Sequence, residues 1–166
     1  MTDYTFSIVV HELSQEQAFQ ASELDGCLGG GATAGVPYVE FELETEMPEY
    51  AVDAAIRGLT ATDLEPVRID VDAITIAGIA ERTGATRQAV RMWVEGERRA
   101  GFPMPYSFAH GLRTWLWADV YPWLRSNSVD INAEYSVAPL PARLIQRYNG
   151  KLAEGAGTFS PVPTSA

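Results

Sequence analysis

The chain has 166 residues, of which 46% are hydrophobic, 10% aromatic and 20% charged, with a mean hydropathy of −0.07. That length and mixture hold one ordinary domain or two very small ones and exclude a wholly disordered chain. Twelve Lys and Arg against 22 Asp and Glu leave a formal net charge of −10, an average that argues against nucleic acid, whose partners ordinarily show a basic footprint.

Cys27 is the single cysteine, which excludes an intramolecular disulfide and a cysteine-rich zinc site. The segment MTDYTFSIVVHEL lacks the basic flank and cleavage site of a secretory signal, and no stretch approaches 18 apolar residues. A cytoplasmic location without a membrane partner is expected.

Tyr4–Val10 has the aromatic and β-branched content of a strand. Leu13–Leu24 reads as a helix opened by a capping box, Ser14 with Gln17 three residues on. Gly26 and Gly29–Gly31 predict a loop, with a weakly marked strand around Ala32–Val36. Tyr38–Glu46 alternates strictly, carboxylates on one face and Val39, Phe41 and Leu43 on the other, as a half-buried antiparallel strand does. Pro48–Leu59 predicts a helix with Pro at its start, and Pro66–Val71 a closing strand. The order is βαββαβ, so residues 1–72 are expected to form a ferredoxin-like α+β module.

Beyond it, Ile76–Thr83 and Arg87–Glu95 predict two short helices capped by Thr75 and Thr86 and joined through Gly84, where a left-handed turn favours glycine. Small Ala80 lets the helices cross, and Val90, Trp93 and Val94 face inward. Arg87, Gln88, Arg91 and Met92 face outward. Arg98, Arg99, the run Phe102–Pro105 and Arg113 suggest a hairpin wing. Trp117, Val120, Trp123 and Leu124 have helical spacing. Pro139–Leu152 predicts a last helix within a 127–154 linker segment, and the small, proline-bearing residues 155–166 a disordered tail.

Charge divides along this boundary. Residues 1–72 hold two basic and fifteen acidic groups, a net of −13, whereas 73–125 hold seven arginines and four acids, a net of +3.

The pieces GIAERTGATRQAV, GFPMP, LRTWLW and ADVYPWL, in that order, resemble the winged helix-turn-helix of the AlpA/excisionase group, related to the MerR superfamily. The resemblance covers about 50 residues, 73–126 in the expected domain scheme. With the acidic α+β part ahead of it, the chain also resembles small actinobacterial helix-turn-helix proteins. It departs from the pattern at Gly78, where such helices often carry Glu, and in the acidic Glu95 and Glu97. The resemblance implies binding to double-stranded DNA in transcription control or in prophage excision, in a bacterial or phage setting.

Arginine reads guanine edges and glutamine adenine edges, which makes Arg87, Gln88 and Arg91 the expected base readers. Thr75 and Thr86, with helix-terminal N–H groups, and Arg98, Arg99 and Arg113 are the expected phosphate contacts. The competing reading of the arginines is a solvated helix face. The four tryptophans read as core rather than as a stacking platform. The row Glu40, Glu42 and Glu44 reads as a solvated sheet face. His11 and His110 lack companions at metal spacing, and no phosphate loop, dinucleotide fingerprint or nucleophile set is present. A non-enzyme without metal or cofactor is expected, acting as a homodimer or with a protein partner through its N-terminal module. The alternative is an interaction module (an antitoxin, a phage-encoded inhibitor or a DNA mimic) that turns the same fold on a protein.

Overall fold

The structure is a computed structural model and describes residues 1–157. It is a mixed α+β chain with mainly antiparallel sheets, and it divides into two compact units: Phe6–Asp70 with the C-terminal helix from Arg143, and Val71–Ala142 with Thr2–Thr5.

In the first unit the elements run β1 (Thr2–Val10), α1 (Gln15–Ser22), β2 (Cys27–Thr33), β3 (Val36–Thr45), α2 (Pro48–Ala61) and β4 (Pro66–Ile69), with the sheet ordered β2-β3-β1-β4. Alternation fixes which face is inside: Phe6, Ile8, Val10, Val39, Phe41 and Ile69 are buried together with Ala51, Val52, Ala55 and Leu59 of α2. Phe6 stacks on Phe41 at 5.6 Å between ring centroids. The capping box of α1 forms as expected, Ser14 Oγ accepting from Gln17 N and Gln17 Oε1 from Ser14 N. On the other face, Ser7, Val9, Tyr38, Glu40, Arg68 and Asp70 line an open concavity of ≈ 390 Å³.

The second unit contains β5 (Ala73–Ile74), α3 (Ile76–Thr83), α4 (Arg87–Val94), β6 (Trp115–Leu116), α5 (Trp117–Ser126) and β7 (Ala138–Pro139). Strands β5 and β6 pair antiparallel, and β7 lies parallel to Tyr4 and Thr5. Its core gathers Ile74, Ile79, Val90, Trp93, Trp115, Trp117, Val120, Trp123 and Leu124. All four tryptophans are therefore core residues, each ring filling space between elements rather than facing solvent.

Three expectations are corrected. The triple glycine is not a loop: Gly29, Gly30 and Gly31 lie inside β2, paired with Glu40, Val39 and Tyr38, and the strand predicted at 32–36 runs over Cys27–Thr33. The segment 127–154 is not a separate linker and helix, because 127–142 belongs to the second unit and the remainder to the first. The last helix, α6, runs Ala142–Gly157 rather than 139–152, so residues 155–157 are helical and only 158–166 of the predicted tail lie outside the described residues. Leu140 is buried but precedes the helix, while Leu144, Ile145 and Tyr148 are buried from α6 itself.

Candidate nucleic-acid interface

The interface candidate is built on α3 and α4. Thr75 Oγ1 accepts from Gly78 N at 3.2 Å and Thr86 Oγ1 accepts from Ala89 N at 3.1 Å, so each threonine satisfies one otherwise unpaired helical donor. Gly84 closes α3 in the left-handed conformation at φ 69° and ψ 5°. The end of α3 is further held by Asn132, whose N donates to Arg82 O at 2.8 Å and whose Nδ2 donates to Glu81 O at 2.6 Å. Ile79 and Ala80 on α3 and Val90 and Trp93 on α4 are buried in one cluster, which fixes the rotation of α4 about its own axis.

That rotation leaves Arg87, Gln88 and Arg91 exposed, one turn of helix apart on the outer face. None has a hydrogen-bond or ion-pair partner among the described residues. Arg98 is also exposed and unpaired, beyond the C-terminus of α4. Two cations and one amide with free donors are thus held in the open by a helix that cannot roll, with a third cation just beyond its end.

The other arginines are differently placed. Arg99 is half-buried, and its Nη1 donates to the backbone oxygen of Asn127, at the end of α5. Arg113 pairs with Glu95 at 3.2 Å and lies over the Trp115 ring at 5.6 Å. An exposed pair of this kind holds by only about 0–1 kcal/mol, so Arg113 can exchange Glu95 for a phosphate at little cost. Thr75 is half-buried with its acceptor used by its own helix, whereas Thr86 is exposed at the start of α4.

Arg82, a residue the sequence does not single out, is the best-held cation of the unit. It forms a bidentate pair with Asp72 at 2.7 and 2.8 Å and lies between Trp117 and Tyr135, 4.8 and 4.7 Å from their ring centroids. This arrangement locks α3 to the strand before it and removes Arg82 from the free charge.

The chain from Phe102 to Leu116 forms a turned-back loop. Phe102 packs edge-on against Trp123 and Trp115, Trp115 Nε1 donates to Pro103 O at 3.0 Å, and Ser107 bridges to Thr114 before β6 begins. Its tip is the short turn Ala109–Gly111, where His110 has a φ of 53° and Gly111 a φ of 77°.

Elsewhere, the Cys27 thiol and the Asp119 carboxyl are both pushed up by loss of solvent. Among the described residues no group of three or more His, Cys, Asp or Glu could hold a metal ion. No protein-family model, curated protein or solved structure matches the chain.

Proposed function

We propose that this chain binds double-stranded DNA sequence-specifically through a winged helix-turn-helix, as a small transcriptional regulator or an excisionase-type factor. In this reading α3 and α4 are the helix-turn-helix, α4 is the recognition helix, and the loop 102–116 is the wing. One observation carries it: Arg87, Gln88 and Arg91 are unpaired and exposed on the outer face of a helix whose inner face is locked in a core. Free guanidinium and amide groups on a short, rigid helix suit the donor and acceptor pattern of the major groove. Arg98, Arg113 and Thr86 supply phosphate contacts around it.

The order βαββαβ with strands β2-β3-β1-β4 supports a ferredoxin-like first unit. Residues 6–70 of this unit hold thirteen acidic and two basic groups, a net of −11, which repels phosphate, so this unit serves a partner, a second copy or an effector rather than the duplex. One helix-turn-helix contacts only a few base pairs, and useful specificity then needs a homodimer or a protein partner.

The test is selection from a random duplex library with the purified full chain, followed by Arg87→Ala and Arg91→Ala. Each substitution is expected to cost about 1–3 kcal/mol and to relax the preference at one base position. Unchanged affinity in both variants overturns the assignment of α4. Failure to bind any duplex at low salt, with co-purification of a basic protein, overturns DNA as the partner.

A further inference from the structure

The wing carries an apolar tip that phosphate contact does not explain. Met104 is 86% exposed, Phe108 78%, Leu112 58% and Tyr106 53%. Scattered apolar residues are ordinary on a protein surface, but here four fall within nine residues of one loop. The loop that bears them is stiff. Tyr106 N donates to Thr114 O at 2.7 Å, Thr114 N to Ser107 O at 2.9 Å, and the Ser107 and Thr114 hydroxyls meet at 2.7 Å. Across the tip, Gly111 N donates to Phe108 O and Leu112 N to Ala109 O, so Phe108 and Leu112 flank the turn. The base of the loop is anchored by Phe102 between Trp115 and Trp123.

Charge identifies what meets this tip. Between Glu97 and Asp119 the chain carries Arg98, Arg99, His110 and Arg113 and no carboxylate. The carboxylates of a second copy's residues 1–72 would meet only the cations, whereas a polyanion with an apolar interior meets both features. Resting on the DNA-binding reading above, we infer that Phe108 and Leu112 form a wedge that enters the minor groove and unstacks a base step, with Arg113 holding the adjacent phosphate. Apolar wedges kink DNA at the cost of stacking and recover it in added contact, and pyrimidine–purine steps yield most easily. The wing thereby contributes specificity through deformability at positions that α4 does not touch.

The experiment uses the full chain and the tightest duplex from the library selection, with 2-aminopurine placed in turn at its pyrimidine–purine steps. Wild-type protein is expected to raise the fluorescence at one step. The double variant Phe108→Ala with Leu112→Ala is expected to bind roughly tenfold more weakly and to give no rise even at saturation. Leu112→Met, which keeps an apolar wedge, stays close to wild type, and Arg91→Ala still raises the fluorescence once saturated. Wild-type binding without a rise at any step, with the double variant equally tight, overturns the wedge and leaves the recognition helix standing. A change in sedimentation of the double variant without DNA assigns the tip to a contact between copies and also overturns it. Absence of duplex binding by the wild type removes the reading and the wedge together.

Discussion

Single residues decide whether α4 is presented at all. Gly84 sits at φ 69°, and a Cβ built there meets only Asn132 Oδ1 at 3.7 Å, so the position has room and its constraint is the backbone alone. Gly84→Ala is therefore expected to lower stability by about 1–2 kcal/mol, and Gly84→Asn by less, because Asn visits the left-handed region more readily. Urea denaturation of the two variants measures the difference; equal losses would point to sterics instead. Gly78 is the opposite case, since a Cβ there meets Ile74 Cβ at 3.3 Å and packing sets the limit. The caps Thr75 and Thr86 and the turn at Gly84 follow local rules and are legible in the sequence. The fates of Arg82 and Arg99 are not, because they are set by Trp117, Tyr135 and Asn127, which only the fold brings near.

At the scale of elements, alternation marks β3 clearly but glycine hides β2. A strand of sequence CLGGGAT has almost no side chains to show a pattern, and it is held by its ladder with β3 and by Tyr38, whose ring covers Gly31. The edge strand β4 is closed by α6: Asn149 Oδ1 accepts from Ile69 N at 2.7 Å while its Nδ2 donates to Ile69 O at 3.0 Å, an amide standing in for a neighbouring strand. The adjacent Tyr148 hydroxyl donates to Asp53 Oδ1 at 2.6 Å, and burial, aided by that carboxylate, pushes its pKa from 10.0 up to about 12. The folded state prefers the protonated phenol, so this stabilisation is full below about pH 10 and is lost as pH rises toward about 12. Denaturation midpoints of wild type and Tyr148→Phe, compared across that range, are expected to converge as pH rises. A constant gap between them would show that the hydroxyl does not favour the fold.

At the scale of the whole molecule, the net charge of −10 joins two unlike parts, −13 over residues 1–72 and +3 over 73–125. Of the seven arginines in the second segment, Arg82 and Arg99 are committed internally and Arg113 is half committed, while Arg87, Arg91 and Arg98 are free in and just beyond α4 and Arg125 is free at the end of α5. The DNA-facing charge is thus small and local, and non-specific affinity is expected to be weak. The direct measurement is the dissociation constant for the selected duplex as a function of salt, for wild type and Arg98→Ala. The two arginines assigned to phosphate, Arg98 and Arg113, give a slope of about −2 in log K against log salt per bound copy, and Arg98→Ala reduces its magnitude by about 1. An affinity independent of salt, or a slope unaltered by removing Arg98, would contradict binding of DNA through this face.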